Sequence, residues 1–223
     1  MEPKERAARS AISRIIDGQV LGFGTGSTVQ YALEALAERI RDEGLRVHGV
    51  PTSLQTQREC QRLKIPLTSL EEHPVLDLAF DGADQVDENL QCIKGYGGAL
   101  LREKIVAAAA SQLLIMVDAG KMSPRLNKPV PVEVMPFGMG VAQSFLQKLG
   151  KPVLRSKDGD TYWTDNGNPV FDVDLGEIAH PAEAARLLDA IPGVVGHGLF
   201  IDLTSELHVG TASESRIIER EQV

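Results

Sequence analysis

Three stretches of this 223-residue chain gather side chains that can do acid/base or anion chemistry. The richest is Lys94-Gly95-Tyr96-Gly97-Gly98-Ala99-Leu100-Leu101-Arg102-Glu103-Lys104, which sets a lysine and free backbone N–H groups before a helical pattern, with a glutamate in that helix's first turns. Positive groups can hold a developing oxyanion while a nearby carboxylate takes the adjacent carbon-bound proton, which is the chemistry of enolisation. Glu103 could also do no more than complement the helix dipole. The second stretch, Asp81-Gly82-Ala83-Asp84, places two carboxylates in a turn after an apolar run. Taken alone it reads as an Asx-type turn, although both carboxylates could face a cleft in acid/base or hydroxyl-binding roles. Magnesium is disfavoured there, because no third carboxylate or histidine stands at ligand spacing.

The third stretch is Gly22-Phe23-Gly24-Thr25-Gly26-Ser27-Thr28. Loop glycines let the backbone approach an anion, the hydroxyls of Ser27 and Thr28 add donors, and the following helix points its positive end at the same place. A tight strand-to-helix turn with a Ser or Thr cap accounts for the same residues. If the ligand is an anion, its kind is constrained. A dinucleotide fingerprint needs GxGxxG, but Ser27 stands where the last glycine belongs, and the second strand ends in Pro51-Thr52-Ser53 rather than an acidic residue for a ribose. Ser27 also occupies the position where a P-loop needs lysine, so a single phosphate group is favoured over a nucleoside triphosphate.

These stretches need a scaffold, and the apolar periodicity supplies one. Residues 4–17 read as a helix stopped at Gly18, followed by a strand from Val20 into the glycine loop and a helix to Gly44. Strands at 46–50, 75–80 and 113–117 alternate with helices carrying Cys60 and Leu63 and spanning 99–111. Such alternation predicts a Rossmann-like parallel sheet covered on both faces, whose ligands bind at the carboxyl ends of the strands. Prolines at 124, 129, 131 and 136 then mark a linker. Beyond it, strand 130–134, helix 141–149, strands 153–155 and 162–173, helix 181–190 and strand 194–202 give βαββαβ, the ferredoxin-like α+β pattern. Residues 1–127 plus 208–223 are therefore expected to form the first domain and 128–207 the second, with 207–210 and 216–220 returning to the first sheet. Trp163, Tyr162 and the other aromatics of the second part read as core.

Composition limits the partners. Lys and Arg total 23 against 31 Asp and Glu, a net charge of −8 that would repel nucleic acid and anionic membranes. The longest apolar stretch, 99–117, is broken by Arg102, Glu103, Lys104, Ser111 and Gln112 and cannot span a bilayer. The charged start, Met1 to Arg6, lacks a following apolar region, so a cytoplasmic location is expected. Cys60 and Cys92 form no CxxC pair, and histidines 48, 73, 180, 197 and 208 show no paired spacing, so neither a metal nor a disulfide framework is expected.

In order along the chain, Leu21 to Thr28, Thr52-Ser53, Asp81 to Asp84, Lys94 to Lys104, Val117-Asp118 with Lys121, Pro131-Val132-Glu133-Val134, Thr164-Asp165-Asn166-Gly167-Asn168 and Pro192-Gly193-Val194-Val195 resemble the ribose-5-phosphate isomerases of type A. The resemblance covers nearly the whole chain. It implies interconversion of ribose 5-phosphate and ribulose 5-phosphate in the pentose phosphate pathway, through a cis-enediolate and without a cofactor. It further implies Glu103 as the proton shuttle, Asp81 assisting ring opening, Lys94 stabilising the oxyanion, and Asp84 on sugar hydroxyls. Thr25, Gly26, Ser27 and Thr28 with Lys121 would hold the phosphate end, and Gly82, Ala83, Gly95, Tyr96 and Gly97 would line the substrate. Lys4 is a weaker phosphate candidate, and a homodimer or homotetramer is implied. Two positions depart from the pattern: Gln85 stands where Glu is usual, and Gly120 where Ser is common. An amino-sugar phosphate deaminase would place a histidine near the base, and none is so placed. A sugar-phosphate-sensing regulatory domain would need a helix-turn-helix, for which the single helix before residue 18 leaves no room.

Overall fold

The computed structural model describes residues 1–220. Its contacts divide the chain into two compact units, one of Met1–Ala83, Arg102–Met122 and the segment from Leu203 onward, the other of Asp84–Leu101 and Ser123–Asp202. The fold is α/β in the first unit and α+β in the second.

The first unit is built on a six-stranded sheet in the spatial order Ser215–Glu219, Glu206–Gly210, Leu113–Asp118, Leu78–Gly82, Val20–Phe23, His48–Pro51. The five inner and far strands pair in parallel, and Ser215–Glu219 closes one edge antiparallel. Helices α1 (Pro3–Ile12), α2 (Ser27–Glu43), α3 (Leu54–Leu63) and α4 (Leu100–Ala109, from Arg102 within this unit) supply the crossovers and cover. Val20–Phe23 sends the chain to one side, to His48–Pro51, and the next strand, Leu78–Gly82, lands on its other side. That reversal is a topological switch point, where an open parallel sheet leaves a crevice at its carboxyl edge. Phe23, Phe80, Leu21, Leu33, Leu36 and Met116 fill the main core. Gly22 has a packing role, since a Cβ there would meet the Val106 side chain of α4 at 2.3 Å.

In the second unit, a four-stranded antiparallel sheet runs Val194–His197, Val130–Val134, Val170–Asp174, Lys151–Leu154. With α5 (Met139–Leu149) and α6 (Pro181–Asp189), this is the ferredoxin-like order expected from βαββαβ. Val130, Val132, Val134, Phe171, Val173, Leu146 and Leu188 form its core. A further three-stranded antiparallel sheet, Leu199–Phe200, Cys92–Ile93 and Gln85–Val86, was not legible beforehand, because its strands are two residues long and one of its two pairings joins positions more than a hundred apart.

Several element boundaries differ from expectation. Helix α1 ends at Ile12 rather than 17, because Arg39 donates to the carbonyls of Ile12 and Ile15, at 2.7 and 2.8 Å, and so caps the helix early. The long strand expected over 162–173 is a strand only from Val170, since residues 164–168 fold into a turn with Gly167 at φ +75°. The strand expected over 194–202 breaks at Gly198, whose missing Cβ leaves space for the Lys94 carbonyl. Trp163 and Phe137 are not core: they are 53% and 99% exposed. Both cysteines are buried and free, and no helix of the described residues is long and apolar enough to cross a membrane.

One buried titratable group in the first unit sits away from the crevice. His208, fully buried, places Nδ1 2.8 Å from Ser10 Oγ and Nε2 3.3 Å from Glu206, which Arg14 also engages. Burial is the main cause that pushes its pKa down to about 4, with Glu206 opposing and Arg14 reinforcing. Above pH 6.5 the ring is neutral whether the chain is folded or not. As pH falls from 6.5 towards 4, the unfolded chain takes up a proton that the native state refuses, so stability is lost on that descent. Between pH 7 and pH 5 the protein is expected to lose roughly 2 kcal/mol more than a His208→Gln variant does in urea denaturation. Equal losses would mean that His208 is not the group responsible.

Candidate active site

Four loops of the first unit leave the carboxyl ends of neighbouring strands: Gly24–Gly26, Thr52-Ser53, Gly82-Ala83 and Ala119–Lys121. They meet at the switch point because the strands that carry them are adjacent. Helix α2 starts after Gly26, whose φ of +129° favours glycine, and no side chain caps its N-terminus. Its first-turn N–H groups and the dipole therefore face the crevice mouth. Gly26 and Ser27 are exposed and Thr28 is buried, and Lys4 Nζ donates to Ser27 Oγ at 3.1 Å. Thus Lys4 and the glycine loop, read separately from the sequence, come together. Lys121 ends a short 3-10 turn in which Asp118 Oδ1 accepts the N–H of Gly120 at 3.0 Å.

Asp81 lies at the centre of this edge and is 4% exposed. Its Oδ1 accepts the N–H of Thr25 at 3.1 Å and that of Gly82 at 2.7 Å, the first of these bonds joining the glycine loop to the neighbouring strand. The seat exists because residue 24 is glycine: a Cβ there would fall 2.0 Å from the carboxylate. Glu103 is 3% exposed. It lies one turn before Val106, the residue of α4 that packs over Gly22, and so shares the sheet-facing side of the helix. Because α4 runs back against the parallel strands, its first turn is at their carboxyl edge.

Thr25 is held in a chain of buried hydroxyls. Its Oγ1 donates to Ser53 Oγ at 2.8 Å, Ser53 donates to Thr56 Oγ1 at 3.0 Å, and Thr56 donates to the Gly24 carbonyl at 2.8 Å. Thr52 Oγ1, 2.8 Å from Thr25 Oγ1, must then be the donor of that pair. With its N–H given to Asp81 and its O–H to Ser53, Thr25 anchors the loop and keeps no donor for an anion. The sequence reading missed Thr56. The signal was available in Ser53-x-x-Thr56, since Ser53 caps α3 by accepting the Thr56 N–H.

In the second unit, Lys94 follows the short strand Cys92–Ile93 and is 2% exposed, its Nζ 5.2 Å from the Phe200 ring centroid. Asp84 Oδ2 accepts the N–H of Tyr96 at 3.0 Å. Gly95 and Gly98 both take positive φ, and the Gly98 N–H closes a turn on the Gly95 carbonyl at 3.0 Å, with Tyr96 and Gly97 exposed at its tip. Burial is the main cause that raises the Tyr96 phenol to about 12, so it stays a neutral hydroxyl, donating to the Pro129 carbonyl at 3.1 Å. Gln85, the departure next to Asp84, is buried. Its Oε1 accepts the N–H groups of Asn127 and Lys128 and its Nε2 donates to Asn127 Oδ1 at 2.7 Å. Among the described residues, no group of three or more His, Cys, Asp or Glu is arranged to hold a metal ion.

A doubly wound sheet whose switch point joins a glycine loop, an uncapped helix start and buried carboxylates defines a small-anion-binding α/β protein equipped for proton transfer. The comparisons narrow that class. Residues 48–214 match the family model of ribose 5-phosphate isomerase A (phosphoriboisomerase A). Ribose-5-phosphate isomerase A of Bradyrhizobium diazoefficiens is 44% identical, covering 97% of this chain and 95% of its own, and that of Methanosarcina acetivorans is 46% identical, covering 99% and 96%. Among solved structures, ribose 5-phosphate isomerase A of Methanocaldococcus jannaschii superposes with a TM-score of 0.92 at 36% identity, covering 97% of each chain. A D-ribose-5-phosphate isomerase in complex with phospho-erythronic acid does so at 0.93, with the same identity and coverage. The chain belongs to the ribose 5-phosphate isomerase A family.

The different donor inventories of Thr25 and Ser27 are separable by experiment. Thr25→Val is expected to lower unfolding free energy by about 1–3 kcal/mol, because it strands buried partners in the hydroxyl chain. Ser27→Ala should leave the melting temperature nearly unchanged yet weaken inorganic phosphate binding several-fold by calorimetry. The reverse ranking would make Thr25 the ligand and Ser27 the anchor.

Proposed function

We propose that the chain interconverts D-ribose 5-phosphate and D-ribulose 5-phosphate, with Glu103 carrying the proton between C2 and C1. In the open-chain aldose the Glu103 carboxylate takes the C2 proton, and the C2–H electron pair becomes the C1–C2 double bond as the carbonyl electrons move onto O1. The proton on O2 passes to O1, and Glu103 returns its proton to C1, leaving the carbonyl at C2. Lys94 stabilises the oxyanion, Asp81 assists ring opening and the hydroxyl proton transfers, and Asp84 holds sugar hydroxyls. The N–H groups at the start of α2, with Ser27, Thr28 and Lys121, hold the phosphate. Gly26, Gly82, Ala83, Gly95, Tyr96 and Gly97 contribute backbone, and Thr25 positions the loop.

The observation that carries this reading is the burial of Glu103. A glutamate that merely complements a helix dipole gains from its position while staying in water, and burying a carboxylate is costly. At 3% exposure, on the sheet-facing side of α4, it has the environment of a functional base. Phospho-erythronic acid, bound in a structural relative, fits the same chemistry, since it is a phosphorylated sugar acid whose carboxylate, like an enediolate, carries negative charge on two neighbouring oxygens. A homodimer or homotetramer and a cytoplasmic location belong to the same proposal. Exposed Met135, Phe137 and Val141 support association, and two free thiols suit a reducing compartment.

Glu103→Gln is expected to keep the fold and lower kcat by about 10²–10⁴-fold with little change in KM. Hydrogen exchange at C2 of ribose 5-phosphate in D₂O should fall with it. If the variant exchanges that proton at the wild-type rate, Glu103 is not the base. Turnover is also expected to be indifferent to EDTA, and a lasting loss that added divalent metal restores would refute the metal-free scheme.

A further inference from the structure

The turn that follows Lys94 is held by one guanidinium from elsewhere in the second unit. Arg155 stands just after strand Lys151–Leu154, and its side chain is 14% exposed. Its Nε donates to Asp172 Oδ2 at 2.9 Å and its Nη2 to Asp172 Oδ1 at 2.5 Å, a two-pronged pair with the neighbouring strand Val170–Asp174. The remaining nitrogen, Nη1, donates to the Gly95 carbonyl at 2.9 Å and lies 3.4 Å from that of Tyr96. The Gly95 carbonyl thus accepts two donors, the Gly98 N–H that closes the turn and the Arg155 guanidinium that fixes it to the sheet.

Other contacts act in the same direction. The guanidinium carbon lies 5.7 Å from the Tyr162 ring centroid, and a Cβ on Gly98 would sit 1.9 Å from the Tyr162 hydroxyl, so that ring backs the far end of the turn. On the near side, the Lys94 N–H donates to the Gly198 carbonyl at 2.8 Å. Lys94 is therefore fixed on one side by Gly198 and on the other by a turn whose conformation needs two glycines at positive φ. A glycine turn of this kind has little rigidity of its own.

We infer that Arg155, oriented by Asp172, is a positioning residue for Lys94 and for the Tyr96 N–H that Asp84 accepts. It acts through the turn and not on the substrate. All three guanidinium nitrogens are in use, so a lysine, with one nitrogen on a flexible stem, cannot span the carboxylate and the carbonyls together. This role rests on the proposed reaction, in which Lys94 stabilises the oxyanion.

The test compares Arg155→Lys, Arg155→Met and Asp172→Asn with Lys94→Ala and with the Arg155→Lys/Lys94→Ala double variant. For each, kcat and KM for ribose 5-phosphate and the melting temperature are measured on the full chain. Arg155→Lys and Asp172→Asn are expected to lower kcat roughly 10- to 100-fold, more than they change KM, because small misplacement of an oxyanion-stabilising group is felt in the transition state. In the Lys94→Ala background, Arg155→Lys should change kcat less than about two-fold, since the group it positions is gone. Arg155→Met is the harsher variant, and if it does not fold the two milder ones still decide. Unchanged kcat in Arg155→Lys and Asp172→Asn, or losses that simply multiply in the double variant, would overturn the inference. An inactive wild type would instead remove the proposed reaction itself.

Discussion

The constraint on which the first unit's site depends is the seating of one buried carboxylate against a backbone with no side chain. Asp81 lies at a strand end in the switch-point crevice, where the cost of removing its charge from water must be met locally. Two N–H groups, from Thr25 and Gly82, meet part of it. Both can reach Oδ1 only because residue 24 has no Cβ. The same contact fixes the path of the glycine loop and, through it, the start of α2 that turns its N–H groups to the crevice. The proposed anion binding and carboxylate chemistry would thus rest on a single interaction between adjacent parallel strands.

That interaction explains why the glycine loop alone is an ambiguous sequence signal. Gly22, Gly24 and Gly26 look alike in the sequence, yet each answers a different demand. Gly22 admits Val106 of α4, Gly24 admits Asp81, and Gly26 supplies a positive φ before α2. The alternation of strands and helices and the βαββαβ order were legible because they follow from local periodicity and short connections. What was not legible depends on distant partners. The early end of α1 is set by Arg39, twenty-four and more residues away, and the three-stranded sheet joins residues 85–93 to 199–200. The turn at 164–168 was absorbed into a strand because its flanks, Tyr162-Trp163 and Val170-Phe171, have strand-like composition.

The second unit solves its local problems with buried polar networks. Glu133, fully buried between Val132 and Val134, turns away from their apolar face, and its Oε1 accepts from Thr164 Oγ1, Asn166 Nδ2 and Asn168 Nδ2 at 2.9–3.0 Å. The turn 164–168 is therefore folded around a carboxylate supplied by the sheet. This joins two segments, Pro131–Val134 and Thr164–Asn168, that the sequence offered as separate resemblances. Their polar residues serve as scaffold, because Thr164, Asn166 and Asn168 of that turn give their donors to Glu133 Oε1. A network of this kind favours one arrangement, since a register shift would take all three donors away from a buried carboxylate oxygen.

The same logic shows why glutamine is tolerated at position 85, beside a proposed substrate-binding carboxylate. A carboxylate there could accept the N–H groups of Asn127 and Lys128 just as the Gln85 amide oxygen does. It could not donate to Asn127 Oδ1, which lies 2.7 Å from Gln85 Nε2, so two oxygens would face each other unless the Asn127 amide turned over to present its NH₂. Gln85 with Asn127 in its present orientation satisfies both amides without a charge. Asp84 is untouched by the exchange, because its Oδ2 bonds the Tyr96 N–H and its carbonyl accepts from Lys128 Nζ at 2.9 Å. The departure is thus confined to the link between 85 and 127–128, one residue from the proposed substrate contact, where neutral and charged solutions differ by the rotation of one amide.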